Sequence, residues 1–263
     1  MTAKAAITTH DLACGYGRRP IIEGVNVSLP HGRISCVLGK SGCGKSTLLR
    51  TLLLLESPLA GDVRFDGASI FGLSGRELDE LRQRTGVLFQ GAALFNSMTL
   101  LENAAFPLVE RSGLPPDLAA ELALLKLDLV GLAPFAHYLP SAVSGGMRKR
   151  CGIARALALD PPYLLLDEPS AGLDPVTSAE IDALILEIRD TLATTVVVVT
   201  HEIRSIERIA DHVVMLADGR VVAEGNLSDV RSSGVDAVED FFDRSPPPSN
   251  GRAEDGIASL LLD

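Results

Sequence analysis

The chain of 263 residues has no tryptophan, and only 4% of its residues are aromatic. Aromatic platforms for stacking single-stranded nucleic acid are therefore not expected. The formal net charge of −10 predicts no nucleic-acid partner and argues against a basic face lying on anionic lipid. No apolar run approaches the roughly 18 residues that span a bilayer. These absences do not exclude docking onto a membrane protein.

Cysteines are few and show no pairing pattern. Cys14, Cys36, Cys43 and Cys151 have neither CxxC spacing nor a disulfide framework, which predicts reduced thiols in a cytosolic protein. No long apolar stretch follows Met1, so no signal peptide is expected. With 46% hydrophobic residues, the chain can build one substantial core.

What the chain does contain is a complete phosphate-binding motif. The P-loop pattern GxxxxGK[ST] is matched by Gly39-Lys40-Ser41-Gly42-Cys43-Gly44-Lys45-Ser46-Thr47. A predicted buried strand, Ile34–Leu38, precedes it and a predicted helix, Ser46–Leu55, follows, as the motif requires. Backbone N–H groups would wrap phosphates, Lys45 would reach the β- and γ-phosphates, and the Ser46 hydroxyl would ligate Mg²⁺. The motif predicts a site for ATP and Mg²⁺.

Two carboxylates follow a later apolar strand, predicted over Tyr163–Leu166. Asp167 stands where an aspartate would hold the Mg²⁺ shell, and Glu168 is the candidate general base that orients and polarises the attacking water. Two solvated carboxylates at a strand end would look the same, and the P-loop favours the catalytic interpretation. His201 and Gln90 each follow another predicted strand. They could contact the γ-phosphate, the water or Mg²⁺, or be ordinary surface residues.

A second glycine turn, Ser144-Gly145-Gly146, precedes a helix predicted over Met147–Leu157. A serine N-cap, two flexible N–H donors and a helix N-terminus together form an anion site. After Met147, the predicted helix continues with three consecutive basic residues, namely Arg148, Lys149 and Arg150. They spread around the helix axis, so at least one is predicted to be an ordinary solvated charge.

Strands and helices alternate along the chain. Short antiparallel strands are predicted within Ile7–Arg33, a hairpin edge at Gly61–Phe65, and helices from Asn96 to about Cys151. The other predicted elements are Glu77–Arg84, Gly86–Phe89, Asp117–Leu129, Thr177–Leu192, Thr195–Thr200, Ile203–Ile209 and Val213–Leu216. This order predicts a mainly parallel sheet covered on both faces, with the helical stretch inserted into the α/β core. The proline-rich segment 245–251 predicts a linker to a tail that is either disordered or an anchor docking on a neighbouring subunit.

Taken in order, the motifs resemble the ATPase domain of ABC transporters, from Leu12 to about Leu227. The motifs are the P-loop, Gln90, the signature Val143–Met147, Asp167-Glu168, Ser170–Asp174 and His201. The resemblance implies an α/β P-loop NTPase with a RecA-like core, an N-terminal antiparallel β subdomain and a helical signature subdomain. It implies an ATPase domain at residues 1–243, with the core at about 1–90 and 158–230 and the helical subdomain at about 91–157. Residues 244–263 would form the linker and tail.

The same resemblance implies an enzyme that hydrolyses ATP as a head-to-tail homodimer. ATP would be held by the P-loop of one protomer and by Ser144-Gly145-Gly146 of the other. Tyr16 would stack on adenine, Asp174 would communicate across the dimer, and His201 would act as the switch histidine. Gln90 would couple the site to integral-membrane permease subunits.

A narrower resemblance is to the Mla/Mce lipid-transport ATPases. It is carried by Leu88–Met98, by Glu102–Leu108, and by a signature that ends in Met147 and is followed by basic residues. The chain departs from the wider ABC pattern at Val143, where leucine is usual, and at Met147, where glutamine is usual. The match implies phospholipid transport between bacterial membranes, a periplasmic Mce-domain partner, and a peripheral location on the cytoplasmic face of the inner membrane.

Two alternatives stay open at this point. One is an ABC importer ATPase for a small polar solute, such as an amino acid. The other is a soluble ABC ATPase that acts on DNA or ribosomes.

Overall fold

The computed structural model describes residues 5–17 and 19–243. Within these ranges the strands are β1 (Ala5–Tyr16), β2 (Arg19–Pro30), β3 (Ile34–Leu38), β4 (Ala60–Phe65), β5 (Ala68–Ser69), β6 (Thr85–Leu88), β7 (Tyr163–Asp167), β8 (Thr195–Val199), β9 (His212–Ala217) and β10 (Arg220–Gly225). The α-helices are α1 (Lys45–Leu52), α2 (Gly75–Gln83), α3 (Leu100–Glu110), α4 (Pro116–Leu129), α5 (Gly145–Ala156), α6 (Pro175–Leu192), α7 (Ile203–Ile209), α8 (Leu227–Arg231) and α9 (Asp236–Asp243). The predicted tail over residues 244–263 lies outside the described residues.

The strands form two sheets. Four strands in the order β2-β1-β4-β5 make an antiparallel sheet. Six strands in the order β10-β9-β3-β8-β7-β6 make the second sheet, which is parallel except that β10 runs against β9. The mainly parallel sheet and the N-terminal antiparallel subdomain are therefore confirmed. The subdomain boundaries at 91 and 157 stay a prediction.

The parallel strands are buried on both faces. Leu164 and Leu166 of β7 belong to one hydrophobic cluster, together with α3, α4 and α5. Tyr163 and Leu165 of the same strand belong to a second cluster, which includes α1 and the antiparallel sheet. Alternate residues of β7 therefore pack into two hydrophobic clusters, one on each face of the sheet, which explains why the sequence of this strand is continuously apolar.

Several predicted elements differ from the structure. β1 and β2 are each twelve residues long, so the prediction of short strands is wrong. Register shifts in the pairing of β1 with β2 interrupt the alternation of buried and exposed side chains. A bulge changes which side chains face the core without ending the strand, so one long strand can look like several short ones in the sequence. Helix α1 ends at Leu52, short of the predicted Leu55, and Leu54 has the helix-incompatible φ of +57°. The predicted helical stretch contains three α-helices and two 3₁₀ turns, Ala133–Phe135 and Pro140–Ala142.

Helix α5 packs unusually close to β6 through two glycines. A Cβ on Gly152 would lie 2.5 Å from Leu88 Cδ1, and a Cβ on Gly86 would lie 2.2 Å from the carbonyl oxygen of Ala156. Both distances are far below van der Waals contact, so neither position tolerates a side chain without movement. The close packing fixes the C-terminal half of α5 on β6, the edge strand of the parallel sheet. Across the described ranges, the helices are too short or too polar to cross a bilayer.

Candidate nucleotide site

The P-loop connects β3 to α1 at the carboxyl end of the parallel sheet, where ligands of such sheets bind. Three of its glycines have positive φ: 147° at Gly39, 83° at Gly42 and 106° at Gly44. Gly44 is the N-cap of α1, and a Cβ there would lie 2.2 Å from Ile22 Cγ2. Glycine is required because only it adopts these angles without strain. The loop presents backbone N–H groups and the positive end of a helix dipole to an anion.

Lys45 supplies a positive charge inside this loop. Its side chain is almost buried, and its Nζ donates to the carbonyl oxygens of Gly39, at 2.7 Å, and Lys40, at 3.1 Å. The ammonium group is thus fixed by the backbone of the same P-loop that a bound phosphate would contact. Such a desolvated cation interacts more strongly with an anion than one in bulk water does.

A cavity of about 1320 Å³ opens above the P-loop. Its volume exceeds the roughly 300–1000 Å³ typical of small-molecule pockets. Twelve of the residues predicted to form the site line it, and they are Gly39, Lys40, Ser41, Gly42, Gly44, Lys45, Ser46, Thr47, Gln90, Asp167, Glu168 and His201. The structure therefore brings the phosphate, metal and catalytic candidates of one chain together in one place.

Five other predicted residues are not among the described residues that line this cavity, namely Tyr16, Cys43, Ser144, Gly145 and Gly146. The Tyr16 hydroxyl is 3.2 Å from Arg50 Nη1, which donates to it, and its side chain is half exposed. Cys43 is in the loop, but its Sγ turns toward Gly39.

The signature turn has the predicted local geometry. Ser144 is the N-cap of α5, and its Oγ accepts a hydrogen bond of 3.2 Å from the backbone N–H of Met147. A Cβ on Gly146 would lie 2.4 Å from Thr177 Cγ2, so the turn packs against the start of α6. That helix is capped by Asp174, whose carboxylate accepts from the backbone N–H groups of Val176 and Thr177. The hydrogen bonds from Thr177 hold the pKa of the Asp174 carboxyl below its usual value.

Asp167, at the end of β7, lies in surroundings that disfavour the charged form of its carboxyl group. Burial raises its pKa, and the neighbouring Glu168 raises it further, whereas Lys149, Arg50 and Lys45 oppose the rise. A raised pKa means that the environment disfavours the charged form. A divalent cation would reverse that preference, because its charge dominates the local electrostatics.

Glu168 is a buried carboxylate of the cavity with one oriented oxygen. Its Oε1 lies 2.6 Å from Nδ1 of His201, and its Oε2 is buried with no hydrogen-bond partner among the described residues. Its φ is +49°, a strained value for a residue with a side chain. The backbone N–H of Glu168 donates to the carbonyl oxygen of Val199 at 2.8 Å, which continues the ladder between β7 and β8. One oxygen of the carboxylate is thus oriented, and the other can accept a proton from a water molecule.

The sequence did not predict the role of Lys149, which is 6% exposed. Its Nζ donates to the backbone carbonyl oxygens of Gln90 and, at 2.8 Å, of Glu168. The two flanking cations are placed differently, since Arg148 donates to the carbonyl oxygen of Val143 and Arg150 pairs with Glu180. Helical spacing alone could show that the three side chains diverge but not which of them points inward.

A second missed feature is the far wall of the cavity, which the C-terminal part of the described chain supplies. The wall includes Glu207, Arg231, Asp240, Phe241 and Phe242. Asp240 of α9 contacts the P-loop directly, because its Oδ2 accepts from Nζ of Lys40 at 2.8 Å. β10, α8 and α9 were not predicted as elements. β10 is an edge strand with mostly half-buried residues, and α8 and α9 have only five and eight residues, so any periodic pattern covers too few positions to predict an element.

The residues of the cavity suit a nucleotide with its magnesium ion. The P-loop glycines leave room for phosphate oxygens, and Lys45 provides charge. Ser46 and Asp167 offer the oxygen ligands that Mg²⁺ prefers. Together these features define the class: a P-loop nucleotide-binding protein.

The comparisons with known proteins narrow this class. The sequence profile described as ABC transporter matches residues 22–171. The intermembrane phospholipid transport system ATP-binding protein MlaF of Escherichia coli K12 is 37% identical over 258 residues, which cover 97% of this chain and 96% of that protein. A Mycobacterium leprae protein described as a probable ribonucleotide transport ATP-binding protein, mkl, is 39% identical over 263 residues, all of this chain and 76% of that one. The chain belongs to the ABC transporter family, among its ATP-binding ATPase subunits.

A solved structure agrees with this assignment. The ATP-binding cassette MJ0796, in a dimeric post-hydrolysis state bound to ADP and phosphate, superposes with a TM-score of 0.76 at 32% identity. The match covers 84% of this chain and 98% of that one.

Proposed function

We propose that this chain is the ATPase subunit of a transporter that moves phospholipid between bacterial membranes. One observation carries the proposal, namely the 37% identity to MlaF over 97% of the chain. Both the nucleotide-binding half and the signature half of the chain lie within that match. ATP hydrolysis would supply the energy, and the cargo would be selected by other subunits.

Within the cavity, each predicted residue has a proposed task. The P-loop backbone and Lys45 bind the β- and γ-phosphates, while Ser46, Asp167 and Gln90 hold Mg²⁺ in place. When bound there, Mg²⁺ would supply positive charge that offsets the negative charge of the phosphate oxygens. Glu168 orients the attacking water and accepts its proton through Oε2. His201 fixes the Glu168 carboxylate through their hydrogen bond of 2.6 Å.

The ATP-bound form is proposed to be a head-to-tail homodimer. The signature turn of Ser144-Gly145-Gly146 is not part of the cavity of its own chain among the described residues. Its serine-capped helix N-terminus is nevertheless built to receive an anion. The γ-phosphate of a nucleotide bound by the partner protomer would fill this role. The related cassette MJ0796 is known as a dimer, which supports the arrangement. Tyr16, exposed near the start of the chain, would stack on adenine.

A groove of about 390 Å³ is proposed as the permease docking site. Its walls include the apolar residues Leu55, Phe89, Phe95, Phe106 and Pro107. Its basic residues are Arg82, Arg111 and Arg155. An apolar segment with acidic flanks would complement it. The loop after β6 carries both Gln90 of the nucleotide cavity and Phe95 of the groove, so movement in one is transmitted to the other over a few residues.

The remaining partners follow from the relationship to MlaF. We propose integral-membrane permease subunits, a periplasmic lipid-binding Mce-domain protein, and attachment to the cytoplasmic face of the inner membrane through the permease. The similarity to mkl supplies the competing cargo, a ribonucleotide. The groove faces the permease in both cases, so the partner proteins distinguish the two.

Affinity purification of the tagged full chain from the membranes of its own bacterium tests the proposal. Mass spectrometry is expected to identify permease subunits, an Mce-domain protein and bound phospholipid. The reconstituted complex should move a fluorescent phospholipid between vesicles when ATP is present, and a complex carrying Lys45→Ala should not. Recovery without any permease would contradict a transporter. A ribonucleotide-binding partner in place of the Mce-domain protein would contradict phospholipid as the cargo.

A further inference from the structure

Lys149 is a cation buried among acidic and carbonyl groups. It lies on the second turn of α5, and its ammonium group donates to two backbone carbonyl oxygens, those of Gln90 and Glu168. Burial lowers the pKa of Lys149, and the charges of Asp167, Glu168 and Glu202 oppose that shift by favouring the protonated form. A buried ammonium needs such partners, because an unpaired one is strongly disfavoured.

The two carbonyl groups belong to residues whose side chains enter the nucleotide cavity. Gln90 follows β6 and Glu168 follows β7, so a single side chain joins the ends of two neighbouring parallel strands. Glu168 needs such support, since its φ of +49° is unfavourable unless surrounding contacts impose it. The hydrogen bond from Lys149 to the backbone carbonyl oxygen of Glu168 therefore restrains the backbone conformation that positions the Glu168 carboxylate.

Helix α5 is a rigid base for this contact. Gly152 lets the helix approach Leu88 and Ala92 closely. Farther along α5, Arg155 donates to the carbonyl oxygens of Ala92, at 2.7 Å, and Ala93, at 2.8 Å. The loop after β6 is thus held to α5 at two separate points, with Lys149 at the point next to the cavity.

We propose that Lys149 is a positioning residue for ATP hydrolysis, which clamps the backbones of Gln90 and Glu168 so that both side chains meet at the γ-phosphate. The proposal rests on the proposed function, in which Glu168 is the base. The same helix begins at Ser144, the N-cap of the signature turn, so Lys149 also ties the signature turn of a protomer to the hydrolytic pair of its own cavity. A shift of α5 when the partner's nucleotide binds the turn would move that pair directly.

The effect expected on kinetics is specific. Among the described residues Lys149 donates no hydrogen bond to the P-loop, so the contacts of Lys45 and the P-loop backbone with the phosphates should not depend on it. Misplacement of a catalytic group by as little as an ångström can slow a reaction by about 100-fold. Loss of the clamp should therefore lower kcat and leave KM and ATP affinity nearly unchanged.

The test compares Lys149→Met, Lys149→Arg and Arg150→Met in the purified full chain. Arg150→Met is the matched control, because it removes the next cation of the same helix, which pairs with Glu180. Lys149→Met is expected to lower kcat about tenfold or more, with the dissociation constant of a fluorescent ATP analogue within about twofold of wild type. Lys149→Arg, which keeps two donors, should recover part of the loss.

Three results would overturn the proposal: a kcat for Lys149→Met close to that of Arg150→Met, an equal loss of ATP affinity, or no recovery in a folded Lys149→Arg. If Lys149→Met does not fold, as judged by thermal unfolding, Lys149→Gln replaces it with the same expected split between kcat and KM. Glu168→Gln, measured alongside, separates the two proposals. Full hydrolysis by that variant contradicts the proposed base, whereas an inactive Glu168→Gln beside an unaffected Lys149→Met contradicts the clamp alone.

Discussion

Nδ1 of His201 lies 2.6 Å from Oε1 of Glu168, and the two residues follow the neighbouring parallel strands β8 and β7. The side chain of Glu168 is 10% exposed, whereas that of His201 is 62% exposed. The pair therefore joins a buried carboxylate to a ring that a second molecule can reach. A partner subunit that contacts the exposed ring of His201 at the cavity can act on Glu168 without touching the carboxylate itself.

Replacing Glu168 by glutamine should abolish turnover and leave ATP bound. The amide cannot accept the proton of the attacking water, and loss of a general base typically slows a reaction by about 10²–10⁴-fold. ATP hydrolysis, ATP affinity and size-exclusion chromatography with ATP would be measured, and a stable dimer is expected. Glu187→Gln, at an exposed position of α6, is the control. Retained hydrolysis would refute the role of Glu168.

Replacing Lys45 by alanine should weaken nucleotide binding. A charged hydrogen bond contributes about 1.5–3 kcal/mol, so the dissociation constant is expected to rise roughly 10- to 100-fold. Isothermal titration with ATP and Mg²⁺ measures the change. Lys126→Ala is a suitable control, since this lysine lies on α4 and pairs with Asp160, which is not part of the P-loop. An affinity equal to that of wild type would count against the phosphate role.

Alanine at Gly152 or Gly86 should destabilise the fold. The added methyl group would meet Leu88 at 2.5 Å or the Ala156 carbonyl at 2.2 Å. Overpacking of this kind costs about 1–3 kcal/mol in the free energy of unfolding, which urea titration measures. Gly75→Ala has no atom within 4 Å and is the control. Equal stability of all three variants would show that α5 does not pack as tightly as described.

A charge in the apolar groove should impair permease binding. Leu55→Glu places a carboxylate on an exposed apolar wall of the groove, and desolvating it against an apolar partner is unfavourable. Co-purification with the permease should fall, while Leu125→Glu, at an exposed leucine on α4, should not lower it. Normal recovery of the permease with Leu55→Glu would remove the groove as the docking site.

Stability should decrease in mild acid because of His212. Burial lowers its pKa below the ordinary value, against the opposing charge of Glu224. The unfolded chain therefore takes up a proton near pH 6.5 and the folded chain only at lower pH. As the pH falls through this window the folded state loses stability, by at most about 1.4 kcal/mol per pH unit.

His212→Asn should remove this loss of stability as the pH falls. Above pH 7.5 the unfolding free energy of the variant should depend on pH as that of the wild type does. Urea titrations of both proteins between pH 8 and pH 5.5 make the comparison. Parallel curves would show that His212 does not contribute the difference.

The sequence predicted the parts of the molecule whose patterns are local. The P-loop between a strand and a helix, the continuous apolar strand before Asp167, and the serine cap at Ser144 each depend on a few adjacent residues, and each was found. The sequence also predicted that Gln90, Glu168 and His201 lie close together. Each follows a strand, and the carboxyl ends of parallel strands meet at one edge of the sheet.

Contacts over long sequence distances were not predictable in the same way. The burial of Lys149 depends on the two loops that happen to lie beneath it, not on its own helix. Likewise, the contact between Lys40 and Asp240 requires α9 to lie against the cavity and the P-loop. Neither residue type nor spacing signals such contacts in a single sequence.

The position of β3 has a consequence for synthesis on the ribosome. This strand leads into the P-loop and is made early, yet its neighbours in the sheet are β8 and β9, which begin at Thr195 and His212. A nascent chain that has exposed the phosphate loop therefore has no flanking strands to hold it until β8 and β9 have emerged. We expect the P-loop to capture a nucleotide only after β9 has been synthesised.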